Sequence, residues 1–253
     1  MDTTTACPVD VSPGTTRPAR RRVVDAPTRM FHWLFALSFV GAYVTADGER
    51  WRALHVTLGY TLAALLAFRV LYGLIGPRHA RLGPTLRRLA SAPTWLRSLV
   101  DAVLRGGLRN VNWRHGQNLL MALAVVSLLV LVLPLTLSGY GTYDEWGALL
   151  GGDWLEDVHE FFGEAMLAVA FVHLGLIAAL SVLRRKNQAL PMWNGYVDGA
   201  GPDVAKRNHA WLAALLLAGV VAFVGWQWHG SPAGLVPGNA WVQSSPDGDH
   251  DDD

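Results

Sequence analysis

The amino-acid sequence predicts an all-α integral membrane protein with five transmembrane helices. Three observations carry this prediction. Of the 253 residues, 51% are hydrophobic and only 16% are charged, whereas about a quarter of the residues of soluble domains are charged. Five apolar segments each have roughly the length that a helix needs to cross a bilayer. Basic residues are concentrated in alternate connections between these segments, as expected for a chain that crosses the membrane repeatedly.

The five predicted helices are separated by recognisable stop signals. Gly76-Pro77 ends the second helix, and Arg184-Arg185-Lys186 ends the fourth with a basic cluster. Trp211, Trp226 and Trp228 bracket the fifth as interfacial anchors. Within the long connection 78–114, apolar residues favour a short amphipathic helix on the membrane surface. The predicted helices cover approximately residues 28–46, 54–75, 116–137, 158–186 and 210–228.

The distribution of charge predicts the orientation of the chain. The connection 78–114 holds eight arginines and one acid, and the N-terminal tail and the 184–207 connection are also basic. The positive-inside rule therefore places the N-terminus inside and the C-terminus outside. This predicts a disordered basic cytoplasmic tail over 1–27, a cytoplasmic connection over 187–209 and an acidic periplasmic tail over 229–253. The predicted location is the bacterial inner membrane.

The fourth helix carries two histidines that point to one side. His159 and His173 are fourteen residues apart, which is within about 40° of a whole number of helical turns and about 21 Å along the axis. Ionisable groups inside a membrane are costly and usually functional. Haem iron takes axial imidazoles, so the spacing suggests two haem sites stacked across the membrane. The single cysteine, Cys7, rules out a Cys-x-x-Cys-His attachment site within this sequence.

His55 begins the second helix at a depth that matches His159, so one iron could lie between them. Each of these histidines has a glycine four residues later, Gly59 and Gly163. A residue at i+4 lies on the same face of a helix, and glycine leaves that face open for a flat macrocycle. Close packing of membrane helices, which also favours glycine, is the alternative explanation.

The second site is less clearly defined by the sequence. His173 and His32 both lie toward the inner leaflet, but a residue count places His173 deeper than His32. Pairing His32 with His115, at the start of the third helix, matches depth better on the count alone. Arg69 lies fourteen residues after His55, on the same face of the second helix. It could bind a propionate of the inner haem or extend to lipid phosphates.

Three stretches resemble the prokaryotic cytochrome b561 family, which includes the di-haem b-type subunits of nickel–iron hydrogenases and of formate dehydrogenase. They are RMFHWLFALS (29–38), HVTLGYTLAALLAFRVLYGLIGP (55–77) and HEFFGEAMLAVAFVHLGLIAAL (159–180). The resemblance covers roughly residues 25–186 and implies a four-helix haem-binding bundle with two haem b groups. It implies His32 with His173 as ligands of the inner haem and His55 with His159 as ligands of the outer haem. The fifth helix and the acidic tail depart from the minimal four-helix pattern.

The resulting functional hypothesis is a di-haem b cytochrome that transfers electrons across the membrane between the quinone pool and a separate redox protein. That partner would be a hydrogenase, a dehydrogenase or a c-type cytochrome, and the chain would serve as an electron-transfer subunit rather than a stand-alone enzyme. One alternative is a self-contained superoxide:quinone oxidoreductase, which the acidic outer segments disfavour because they would repel an anion. Another is a transporter or scaffold without haem, whose histidines bond neighbouring helices.

Overall fold

The computed structural model describes residues 19–107, 109, 111–144, 154–231 and 235, and within them the chain is almost entirely helical. Two short strands lie near the beginning of the chain and before the last helix. A 3₁₀ helix, Glu49–Trp51, precedes the second long helix. The elements are β1 (Arg20–Arg22), α1 (Ala26–Val44), α2 (Arg52–Ile75), α3 (Gly83–Ala90), α4 (Ala92–Leu104), α5 (Trp113–Tyr143), α6 (Trp154–Arg184), α7 (Leu190–Asn194), β2 (Tyr196–Asp198) and α8 (Ala210–Gly230).

Four helical segments of the described chain are long and apolar enough to cross a membrane: Glu49–Ile75, Trp113–Tyr143, Trp154–Arg184 and Ala210–Gly230. The helix α1 is absent from this set, because polar residues near its start, among them Arg29 and His32, lower its mean hydropathy. It nevertheless packs against α2 and α8. The prediction of an all-helical membrane protein is confirmed, whereas five spans with the N-terminus inside and the C-terminus outside stay a prediction.

The core of the bundle lies where α1, α2, α5 and α6 meet. Phe31, Phe35 and Phe39 recur every four residues along α1 and so form one apolar face. They join a cluster with residues of the other three helices, namely Leu62, Leu65, Val132, Leu135 and Met166. The most extensive contacts between helices are those of α5 with α6 and of α1 with α2, and α2 also packs against α5. This arrangement sets the histidines of α1 and α2 opposite those of α6.

A small β-sheet lies at the end of the bundle where α1 begins, and it joins two segments that are distant in the sequence. Strand β1 pairs antiparallel with β2, with Arg21 opposite Val197. The backbone N–H of Ala26 donates to the Asn208 carbonyl at 3.1 Å, which holds the start of α1 beside the start of α8. Part of the tail that the sequence predicted as disordered, 1–27, thus forms β1 and the start of α1, and the partner of β1 lies far away in the sequence. Residues 1–18 lie outside the described residues.

The connection between α2 and α5 forms two helices where the sequence predicted a single short one. Helices α3 and α4 meet at Ser91, which ends the first and caps the second. The ring of Trp95 packs so tightly against α5 that a Cβ at Gly116 would lie 2.3 Å from Trp95 Cζ2. Leu96, Val100, Val103 and Leu104 stay exposed on α4, as expected of a helix at a membrane surface.

Candidate functional site

The imidazoles of His55 and His159 lie close together between α2 and α6, with nearly perpendicular ring planes. Their ring centroids are 5.9 Å apart and their planes are inclined at 79°. The Nδ1 atom of His55 lies 2.8 Å from the Ala42 carbonyl, and Nδ1 of His159 lies 2.9 Å from the Leu135 carbonyl. Because a carbonyl only accepts hydrogen bonds, Nδ1 carries the proton in both neutral rings and Nε2 keeps its lone pair.

This geometry suits two ligands of one metal ion. Histidine ligands usually donate their second ring N–H to a carbonyl or carboxylate, which fixes the tautomer and the ring orientation. A coordinated imidazole nitrogen lies about 2 Å from a first-row metal such as zinc, so two imidazoles on opposite sides of one ion have centroids about 6 Å apart. The observed 5.9 Å between His55 and His159 agrees with that separation.

The glycines that follow these histidines are not crowded by a neighbouring helix among the described residues. No heavy atom lies within 4 Å of a Cβ built on Gly59, and only Leu135 Cδ1, at 3.9 Å, approaches one on Gly163. A helix-packing glycine would instead have a neighbouring helix close to its Cα. The close-packing explanation is therefore not supported by the contacts at either position.

His32 and His173 are the residues expected to form the second pair, and they lie within electrostatic range of each other. Both Nδ1 atoms are buried, and neither has a hydrogen-bond partner among the described residues. A buried polar atom without a partner is costly unless a ligand or metal satisfies it. His115 has a different neighbour, since its Nε2 lies 3.0 Å from Ser91 Oγ where α3 meets α4.

Helix α1 begins at Ala26, three residues before Arg29. Arg29 donates to the Trp193 carbonyl at 2.9 Å, and the Trp33 Nε1–H donates to the Met192 carbonyl. Helix α7 therefore lies against the start of α1. The pairing of His32 with His173, whose depths disagree on the residue count, stays a prediction.

Arg69 has a partner that the sequence did not predict. Its Nη1 donates to the Ala80 carbonyl at 3.0 Å, and it lies within electrostatic range of Asp25 and Tyr72. The anionic neighbour of this buried guanidinium is therefore a carboxylate of the chain itself. A role for Arg69 at a haem propionate stays a prediction.

Asp25 was missed by sequence analysis. It caps α1 by accepting a hydrogen bond from the Thr28 backbone N–H at 3.2 Å, and Tyr72 and His79 also donate to it. Burial acts to raise the pKa of Asp25, but the hydrogen bonds outweigh it, so the pKa lies below its ordinary value. The Asp-Ala-Pro sequence, a capping residue with proline in the first helical turn, was the signal that could have located it.

The histidines are arranged in pairs, which fits haem better than an ion held by protein ligands alone. No group of three or more His, Cys, Asp or Glu side chains in the described part of the chain could hold a metal ion. A porphyrin supplies four nitrogens of its own, so its iron needs only two axial imidazoles. The fold and the site thus define a helical membrane protein with two pairs of potential haem ligands.

Comparison with known protein families identifies the family to which the chain belongs. The model of the prokaryotic cytochrome b561 family matches residues 23–195, which is more than half of the chain and includes all four paired histidines. The chain belongs to this family, and it is a haem b electron-transfer protein of a bacterial membrane. Neither the curated proteins nor the solved structures contain a match.

Proposed function

We propose that the chain binds two haem b groups, one between His55 and His159 and one between His32 and His173, and moves electrons between them across the membrane. The observation that carries this proposal is the outer pair, whose two rings are 5.9 Å apart with Nδ1 of each turned toward a carbonyl. When bound, haem supplies the one-electron redox chemistry. The chain supplies axial nitrogens, fixed ring orientation and a medium of low dielectric.

Three helices of the bundle supply the four haem ligands in this proposal. Helix α6 provides one ligand to each haem, and α1 and α2 provide the other two. The carbonyls of Ala42 and Leu135 hold the outer rings in the tautomer that leaves Nε2 available. Two imidazoles on each iron leave no open coordination position, which suits electron transfer rather than binding of oxygen.

The electrons would pass between the quinone pool of the bacterial inner membrane and a separate redox protein. That partner is a hydrogenase, a dehydrogenase or a c-type cytochrome, in keeping with the electron-transfer role of the family. We expect a partner outside the membrane to exchange electrons at the outer ends of α2 and α6. The outer pair, His55 and His159, lies near the start of these two helices.

The test is the haem content of the purified protein. A pyridine haemochrome assay should give about two haems per polypeptide, and acid acetone should extract both, because no covalent attachment is expected. Reduction with dithionite should produce the absorption bands of b-type haem. One haem per chain, or none, would contradict the proposal of two sites.

A further inference from the structure

The carboxylate of Asp25 is the centre of a hydrogen-bonded cluster at the end of the bundle where α1 begins. Its side chain is fully buried. One oxygen accepts from the Thr28 N–H at 3.2 Å, and the other accepts from the Tyr72 hydroxyl and from His79 Nε2, the latter at 2.9 Å. A buried carboxylate is tolerated only when such donors replace the water it has lost.

His79 connects this cluster to the solution. It lies in the segment between α2 and α3, just after Gly76-Pro77. Its side chain keeps 10% exposure, whereas that of Asp25 has none. Because Nε2 is directed at Asp25, the remaining ring nitrogen, Nδ1, is the atom at which a proton can be gained or lost. An imidazole changes its charge more readily near neutral pH than any other side chain.

The cluster is also close to the inner histidine pair. Asp25 and His32 are seven residues apart on the same stretch of chain, which is within about 20° of two turns and about 10 Å along the helix axis. Charges at this separation interact appreciably where water is excluded, since the effective dielectric constant is far below that of bulk water. A change in the charge of a group bound at His32 therefore changes the electrostatic potential at the Asp25 cluster.

We propose that Asp25 and His79 form a proton-uptake site that is coupled to reduction of the inner haem, an inference that rests on the proposed function. When the inner haem is reduced, one electron from a quinol or from the outer haem would lower by one unit the charge of the group that His32 and His173 hold. One proton from the solution on the α1 N-terminal side then binds His79 Nδ1, while the Nε2–H stays donated to Asp25. Oxidation releases the same proton.

The surrounding groups determine the strength of this coupling. Among the described residues, the charged and titratable groups facing Asp25 are His79, Tyr72 and Arg69. His79 and Tyr72 hydrogen-bond to the Asp25 carboxylate, and Arg69 lies within electrostatic range of it. The hydroxyl of Tyr72 stabilises the anionic form of Asp25, so that the imidazole, and not the carboxylate, takes up the proton.

The test is a redox titration of the purified holoprotein at a series of pH values. In the wild type, the midpoint potential of the inner haem should fall as pH rises over a limited range near neutrality, where imidazoles change charge, and stay level on either side. In Asp25→Asn and in His79→Gln, which retains an N–H donor in the place of Nε2, the potential should become independent of pH. Asp198→Asn removes an exposed carboxylate on the same side of the bundle and should leave the dependence unchanged.

The possible outcomes are distinct. If the wild-type protein contains no inner haem, the proposed function fails. If the inner haem is present and its potential does not vary with pH, or varies equally in His79→Gln, the proton-uptake site is refuted. Reduced-minus-oxidised infrared difference spectra of the wild type and of His79→Gln provide a second readout. They should contain imidazole bands that shift when the histidines carry ¹⁵N, and that are lost in His79→Gln.

Discussion

The imidazole of His159 rests directly against the backbone of Gly139 on the neighbouring helix. A Cβ at Gly139 would lie 2.7 Å from His159 Cε1 and 2.9 Å from its Nδ1. One turn earlier on the same helix, the Leu135 carbonyl accepts from that Nδ1. Helix α5 therefore fixes the position of His159 from two sides, although it contributes no ligand.

Substitution Gly139→Ala should displace the His159 ring and lower the content of outer haem. A contact of 2.7 Å is shorter than real Cβ contacts allow, and the ring cannot retreat without losing its hydrogen bond to Leu135. Electron paramagnetic resonance of the oxidised protein should show loss of one of two low-spin signals. Gly175→Ala on α6 is the matched control, because a Cβ there meets no heavy atom within 4 Å. Two intact signals in Gly139→Ala would contradict this account.

Each histidine pair should respond to substitution as a unit. His55→Ala or His159→Ala should remove the outer haem and largely spare the inner one, and His32→Ala or His173→Ala should do the reverse. The measurements are haem content and the low-spin signal that disappears. If His115→Ala abolished a haem while His173→Ala did not, the inner ligand pair would be His32 with His115.

Bulk at Gly59 or Gly163 should exclude haem without disturbing the protein itself. We expect Gly163→Leu to reduce outer-haem occupancy several-fold, and Gly59→Leu to act in the same way. Among the described residues of other elements, a Cβ on Gly163 would approach only Leu135 Cδ1, at 3.9 Å, and leucine is favourable in a bilayer. Membrane insertion should stay normal, as measured by protease protection or reporter fusions. Wild-type haem content in both variants would show that neither glycine faces the cofactor.

The sequence predicted the helical pattern well, because that pattern depends on local periodicity. The two histidine pairs, which rest on the fourteen-residue spacing and on the family resemblance, stay a prediction as haem ligands. The sequence could not predict contacts that depend on how helices pack. Gly139 becomes important only because α5 lies against His159, and Asp25 only because α2 and the following segment bring Tyr72 and His79 to it. Strand β1 was missed for the same reason, since its partner Tyr196–Asp198 is distant in sequence.

The Asp25 cluster should stabilise the fold at neutral pH and lose that effect in acid. Because the folded-state pKa of Asp25 lies below its ordinary value, its contribution is complete above about pH 4, the value in an unfolded chain. It declines as pH falls from there through the folded-state pKa. Hydrogen bonds to a charged group contribute about 1.5–3 kcal/mol each, so Asp25→Asn should lower the thermal midpoint at pH 7 by several degrees.

The same variant should lose less stability than the wild type when pH is lowered from 5 to 3. Thermal unfolding in detergent, followed by circular dichroism, measures both effects. Asp198→Asn is again the control, because its ion pair with Arg20 is exposed and such pairs contribute little. Parallel acid profiles for Asp25→Asn and the wild type would show that the buried carboxylate is not the group responsible.

Exposed carboxylates close to His159 should promote encounter with a basic redox partner. Glu156, Asp157 and Glu160 are exposed at the start of α6, whereas Glu145, Asp153 and the five acids of the C-terminal tail lie outside the described residues. A surface of one charge sign raises association rates with an oppositely charged protein, and salt screens the effect over about 8 Å at physiological ionic strength. Electron exchange between the reduced protein and a basic c-type cytochrome should therefore slow steeply as salt is added.

Neutralising Glu156 and Asp157 together, as Gln and Asn, should flatten this dependence on salt, because both carboxylates lie within three residues of His159. The change should appear in the second-order rate constant measured by stopped-flow, and not in the haem content. Asp101→Asn on α4, an exposed acid in the basic connection, should leave the salt dependence as in the wild type. A rate that is insensitive to both salt and the double substitution would show that these acids take no part in docking.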